Sequence, residues 1–228
     1  MTFFEEKVYQ AGWKLQTKKK NLTVSSKYEG DTVGVLVEAQ IDLEIEKFLT
    51  VMTEIDLMKE FMPFMAESRT EKLIARNNKI GYSMNDFPIL AKREAFFQGI
   101  GYDRMDHNQT ILLYSRTLHS RPDLQELFDY EVKPTPGAIQ LDYNYLVVEY
   151  KPSSTHSGSI KLATNVDIKI RLPMFILAAA SEGFGVDFYK NMLKIARKFE
   201  GSEWEKKVQE NPAFFEFIKT RVGEYFLS

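Results

Sequence analysis

Two periods of apolar residues organise this chain. Across residues 172–199, Phe184, Phe188, Met192, Ile195 and Phe199 follow one another at steps of four, four, three and four, which puts them on one face of a helix. Upstream the period is two. Ile160, Leu162, Thr164, Val166, Ile168 and Ile170 alternate with Lys161, Asn165, Asp167 and Lys169, the mark of a strand with one buried and one wet face. Similar strand-like stretches occupy residues 71–76, 79–84, 89–100, 110–118 and 139–150. Short polar links between them predict an antiparallel meander.

The first third predicts a short helix over residues 2–10 and a hairpin of strands 13–17 and 22–26 turned at Lys18–Asn21. The lysines of that turn either protect a sheet edge or touch anionic lipid headgroups. A third strand follows over 33–41. Asp42 is the expected N-cap of a helix over 43–53, with Ile45, Phe48, Leu49 and Met52 on one face. A second apolar cluster, 58–65, predicts a helix ending in a turn at Pro63. The class is therefore α+β, a long C-terminal helix lying against a curved antiparallel sheet. Residues 120–137, with Pro122, Pro134 and Pro136 and the apolar Leu124, Leu127 and Phe128, make a loop too long for a hairpin. It is either a lid or a segment packed on the sheet rim. The tail 202–227, carrying Trp204, Val208, Phe214, Phe215, Ile218, Val222 and Phe226, either packs back on the domain or offers an apolar face to a partner or a membrane.

Composition narrows the function. The chain has 228 residues, 44% hydrophobic and 13% aromatic, enough for one sizeable core, and 1–228 is expected to be a single domain. A net charge of -2 gives no footprint for nucleic acid, so no nucleic-acid partner is expected. There are no cysteines, which removes disulfides, thiolate metal sites and a cysteine nucleophile. The N-terminus carries acids before any apolar run and does not read as a signal peptide, so a cytoplasmic protein is expected. The longest apolar run, 172–180, is much shorter than the roughly 20 residues that span a bilayer.

Catalytic signatures are sparse. His107, His119 and His156 are the only histidines, expected at the surface and without metal-ligand spacing. No G-x-S-x-G elbow occurs, and Gly99-Ile-Gly101 and Gly183-Phe-Gly185 lack the third glycine of a dinucleotide site. No catalytic residue, metal or cofactor is expected. A large sheet, a long apolar helix and no catalytic set describe a container. Gly183 and Gly185 each cost the helix about 1 kcal/mol relative to alanine, and Ala178–Ala180 fill little space. These residues fit either a cavity or close helix-to-sheet packing.

Four segments carry a resemblance. They are Gly12-Trp13 with the strands after it; Phe61-Met62-Pro63-Phe64, where a W-x-P-like segment is usual; Lys92-Arg93-Glu94-Ala95-Phe96, similar to P-R-D-F-V; and Asp167-Ile-Lys169-Ile-Arg-Leu-Pro173 running into Gly185-Val186-Asp187-Phe188, similar to D-x-K-G-x-x-P and the closing helix. Together, over residues 13–199, the chain resembles the START (StAR-related lipid transfer) domain of the helix-grip superfamily. The resemblance implies a curved antiparallel sheet gripping a C-terminal helix around a hydrophobic tunnel. That tunnel would hold one lipid of the phospholipid, sterol or ceramide class, carried between membranes without cofactor or covalent chemistry. A sixteen-carbon chain exposed to water costs on the order of 13 kcal/mol at about 0.8 kcal/mol per CH₂, and a closed cavity removes that cost.

By the match, Phe184, Phe188 and Met192 would line the tunnel from the helix. Arg93, Ala95 and Phe97 would line it from the P-R-D-F-V-like strand, and Leu141, Tyr143 and Tyr145 from a later one. Arg93 or Arg116 would supply a buried positive group, the register around Arg116 being open. Sterol-carrying members have a buried arginine six residues after the first arginine of P-R-D-F-V. Here that position is Gly99, which favours phospholipid over sterol. Residues 202–227 extend beyond the family's usual end. The expected protein is a monomeric carrier with transient membrane contact. Its rivals are a cavity enzyme of the same superfamily, cyclase or hydrolase-like, and a protein-interaction module using the aromatic tail.

Overall fold

The computed structural model of the chain describes residues 4–87 and 90–227, and ten segments among them pair into one sheet. In chain order the strands are β1 (Lys14–Lys19), β2 (Leu22–Glu29), β3 (Thr32–Ile41), β4 (Met65–Ala75), β5 (Asn78–Asn85), β6 (Arg93–Arg104), β7 (Thr110–Thr117), β8 (Ile139–Gln140), β9 (Asp142–Ser154) and β10 (Ser157–Asp167). They lie in the order β1-β2-β3-β10-β9-β7-β6-β5-β4 with antiparallel neighbours, and β8 joins the start of β6 in parallel. The period-two pattern of β10 puts Val166, Thr164, Leu162 and Ile160 opposite Val33, Val35, Val37 and Ala39 of β3. These cross-strand apolar pairs fix the register, because a slip of one residue would turn the whole set outward.

The helices are α1 (Ile45–Thr53), α2 (Met105–Asn108), α3 (Pro122–Leu127), α4 (Met174–Ala196), α5 (Glu203–Glu210) and α6 (Pro212–Leu227), with a π-helical turn at Phe4–Val8 and a 3₁₀ turn at Ile55–Glu60. None of the described helices is long and apolar enough to cross a membrane. The inner face of the curved sheet carries α4, which lies over β1–β3. Its approach is close at Gly185, where a Cβ would come within 2.7 Å of Val24 and 3.1 Å of Val37. Gly183, by contrast, has nothing within 4 Å of its missing Cβ. Phe188 and Met192 are completely buried in one cluster with Val24, Val37, Leu162 and Val148. Trp204, Phe215, Ile218 and Val222 of the tail are buried in that same cluster, so the tail packs back on the sheet side.

A short local device turns the chain from β10 into α4. The Asp167 carboxylate accepts the Lys169 backbone N–H at 2.8 Å, and Lys169 takes a left-handed φ of 56°. Such an Asx-type turn ends a strand and redirects it. Lys169 Nζ then bridges Asp167 at 2.7 Å and Asp142 at 2.6 Å.

Several sequence expectations change. The strand expected to run to residue 170 stops at Asp167 because of this turn. The strand expected from Ile89 begins at Arg93; Ile89 itself lies outside the described residues, as do Thr2 and Phe3 of the expected first helix. Asp42 is not an N-cap, since α1 starts at Ile45 after Glu44 while Leu43 is drawn into the core in an irregular stretch. The cluster around Pro63 is a 3₁₀ turn over Ile55–Glu60 followed by a turn, and not a longer helix. Residues 120–137 are not a lid over the inner face. Leu124, Phe128, Tyr130 and Val132 cover Ile80, Tyr82, Met84 and Phe96, the outward side of β5 and β6. The Phe4–Val8 turn covers the same outer face farther along, on Leu36, Leu112, Val147 and Ala163.

The two helix glycines have opposite surroundings, and so opposite expected effects. Gly183→Ala is expected to stabilise by about 1 kcal/mol through helix propensity alone. Gly185→Ala is expected to destabilise by about 1–2 kcal/mol as the new methyl meets Val24. Urea denaturation of the two variants beside the parent chain measures both signs.

Candidate functional site

Along β6 every second residue faces inward: Arg93, Ala95, Phe97, Gly99 and Gly101. Opposite them β7 presents Ile111, Leu113 and Ser115, with Gly99 paired directly to Ser115 and Gly101 to Leu113. Past Phe97 the inward positions Gly99 and Gly101 of β6 carry no side chain, and α4 packs on β1–β3, the other half of the sheet. The space is roofed instead by the end of α1, the 3₁₀ turn and the tail. Met52, Ile55, Phe97, Ile111, Leu113, Phe214, Phe215 and Ile218 bound a cavity of about 670 Å³, with Gly99, Gly101 and Ser115 on its floor. That is within the range of roughly 300–1,000 Å³ typical of ligand pockets.

A second hollow of about 60 Å³ lies deeper. It is bounded by Phe61, Ser83, Tyr143, Leu146, Val148 and Leu162, and by Met62 and Met65. Met52, Met58, Phe97, Leu113 and Ser115 border both spaces. Methionine thioethers make part of that partition, and they repack at low cost. Burial pushes the Tyr143 hydroxyl upward in pKa, while hydrogen bonds with Ser83 and Asn85 act in the opposite direction.

Of the ten residues expected to contact a ligand, Phe97 borders both hollows and Tyr143 the deeper one. Phe184, Phe188 and Met192 pack into the apolar core beneath α4, because the Gly185 contact leaves no gap there. Ala95 and Leu141 belong to a neighbouring apolar cluster with Ile55 and Phe97. Arg93 is 2% exposed, and its guanidinium donates to the Ile168 carbonyl at 2.9 Å and to the Ala91 carbonyl at 2.5 Å. It braces the approach to α4 and is not on either cavity wall.

Two residues point the other way. Arg116 faces outward and donates to Gln98 at 3.1 Å. Tyr145 faces outward too, in the cluster under Phe4 and Val8, because the β9–β10 register shifts between Asn165↔Tyr145 and Val166↔Tyr143. That bulge leaves Asn144 over, so strict alternation from Leu141 fails after Tyr143. The cavity residues that sequence reading passed over are mainly Gly99, Gly101, Ser115 and the methionines. Their one signal is the small size of alternate residues on β6, which means something only once the register is known.

Charged groups around the larger cavity are mostly paired. Lys79 meets Glu54 at 3.2 Å, Lys207 meets Glu210 at 2.9 Å and Arg221 meets Asp103 at 3.1 Å. Asp56 accepts the Thr70 N–H at 2.7 Å. Arg76 is different: it donates to the Asn211 side-chain oxygen at 3.1 Å and lies 4.1 Å from the centre of the Phe214 ring, with no carboxylate in ion-pair range among the described residues. No histidine borders either hollow among the described residues.

His119 corrects the expectation of three surface histidines. Only 10% of its side chain is exposed, its Nε2 is 2.8 Å from Asp142, and its Nδ1 is buried without a hydrogen-bond partner. Burial holds its pKa below the ordinary value, and the Lys169 charge acts the same way, against the pull of Asp142. His107 and His156 are exposed as expected.

Three solved structures place the fold. Human STARD10 is 17% identical with a TM-score of 0.70, over 90% of this chain and 80% of that one. Human StAR-related lipid transfer protein 5 is 12% identical with a TM-score of 0.70, over 86% of this chain and 91% of that one. A STAR-related lipid transfer protein from Xanthomonas axonopodis is 11% identical with a TM-score of 0.65, over 82% and 99%. No protein-family model matches the sequence, and no curated protein matches it. The fold is the helix-grip fold of START domains.

His119 generates a pH dependence whose sign is fixed. Its folded pKa lies below its unfolded value of about 6.5, so its contribution to stability is full above that value and is lost as pH falls through the folded pKa. Asp142, whose pKa is lowered by Lys169 and Ser120 against the opposing effect of burial, acts at lower pH, below the usual carboxylate range. The urea midpoint is expected to fall between pH 7 and pH 5, and less steeply in His119→Asn.

Proposed function

We propose that this chain binds one lipid molecule in its interior and carries it between membranes, without catalysing a reaction. The observation that carries this reading is the largely apolar cleft of about 670 Å³ between the tail helices and the inner face of a helix-grip sheet. Solved structures that share the fold are named as lipid transfer proteins, which supports the same reading. A phosphate-bearing lipid is favoured over a sterol, because Arg76 on the wall has a guanidinium without a carboxylate partner among the described residues. The acids and bases around the cavity engage one another rather than forming a nucleophile and base, which argues for a carrier over a cavity enzyme.

Membrane contact has its own support. The approach to α4 and its first turn expose Ile170, Met174, Phe175 and Ile176, with Phe175 at 75%. A run of exposed apolar side chains at the start of the gripped helix fits transient insertion into a bilayer surface.

The test uses the full chain, stripped of lipid and incubated with vesicles made from total cell lipid. Native mass spectrometry of the re-isolated protein is expected to show one lipid per chain. Phe175→Asp is expected to slow vesicle-to-vesicle transfer about tenfold with an unchanged melting temperature. A parent chain that emerges with no lipid of any class overturns the proposal.

A further inference from the structure

The larger cavity exists because of the tail. Lys207, Glu210, Asn211, Phe214, Phe215 and Ile218 make one of its walls, and the inner face of β6 and β7 makes the opposite one. That face is stripped of side chains where it matters most. A Cβ built on Gly99 would meet only Ser115 Oγ, at 3.6 Å, so the glycine is not forced by close packing and its missing side chain is open volume.

Volume and charge together select an occupant. At about 30 Å³ for a water-sized group, which is near the size of one CH₂, 670 Å³ accommodates roughly twenty such groups. That matches one acyl chain of ordinary length. Around this chain the wall cations Lys79 and Lys207 are already neutralised by Glu54 and Glu210. Arg76 is held in place through Asn211 and the Phe214 ring, with no carboxylate in ion-pair range among the described residues; Glu54, whose charge does reach it, is already paired with Lys79. The rim beside it is apolar and exposed at Leu73, Tyr102 and Phe217.

We propose that the cavity between α6 and β6–β7 takes an amphiphile with a single acyl chain and an anionic head, the chain lying over Gly99 and Ser115 and the head pairing with the Arg76 guanidinium. This rests on the carrier reading above and narrows it to one class of lipid. The head is a carboxylate, as in a free fatty acid, or a phosphate monoester, as in a lysophosphatidate. Both suit the planar fork of a guanidinium.

The experiment follows cis-parinaric acid, a fluorescent single-chain fatty acid, binding to the lipid-free full chain. Oleate and 1-oleoyl-lysophosphatidate are each expected to displace it, and the tighter of the two assigns the head as carboxylate or phosphate. Dioleoyl phosphatidylcholine and cholesterol are expected not to compete. Gly99→Phe fills the cavity and is expected to weaken parinarate at least tenfold, and Gly99→Leu serves if the larger residue unfolds the chain. Arg76→Gln is expected to weaken oleate about tenfold while leaving oleyl alcohol, which has the same chain and a neutral head, unchanged. Equal or better competition by cholesterol or the two-chain lipid overturns the proposal, as does wild-type affinity in a folded Gly99 variant. A chain that extracts lipid from vesicles but ignores parinarate sinks this inference alone. One that takes up neither sinks the carrier reading as well.

Discussion

The close seat of α4 on β2 and β3 is the constraint from which the rest follows. At Gly185 helix and sheet approach to within a methyl group's width, and that contact commits the helix to one half of the inner face. Phe188 and Met192 can then only fill the core beneath it. The other half, β4 to β7, is left to be covered by something else. A bare apolar sheet face costs roughly 25 cal/mol per Å² exposed to water, so α1, the 3₁₀ turn and the two tail helices close over it. They close imperfectly because the strands below them carry glycine and serine, and the imperfection is the cavity.

The junction between sheet and helix is held from several sides at once. Asp167 bonds the backbone of Lys169, Lys169 reaches back to Asp142, and Asp142 lies against His119 at the end of β7. Arg93 adds a buried guanidinium donating to the Ile168 carbonyl. Charged groups are rarely buried unless they are paired or hydrogen-bonded. Here they lock the few residues that steer the chain from the central strand β10 into α4. The first turn of α4 projects beyond this lock with its apolar side chains uncovered.

Much of the architecture was legible. Strict alternation over Ile160 to Val166 specified β10 and its buried face, and the period near 3.6 after Phe184 specified the side of α4 that meets the sheet. What failed did so where local pattern meets a tertiary choice. Alternation carried from Leu141 through Tyr143 to Tyr145 ignores an inserted Asn144, and one extra residue reverses every side chain after it. Arg116 was one of two candidate buried cations with its register open, and the pairing turns it outward to Gln98. The cavity was the least legible element of all. Empty space is recorded in sequence only as small residues, and Gly99, Gly101 and Ser115 sit on three separate inward positions whose meaning depends on pairing.

One consequence concerns how such a protein changes over time. The frame is specified by the strands and the grip of α4, whereas the chamber's outer wall comes from α5 and α6, which follow that frame in the chain. The wall can therefore change residue by residue along a surface helix while the strand pairing and the seat of α4 stay as they are.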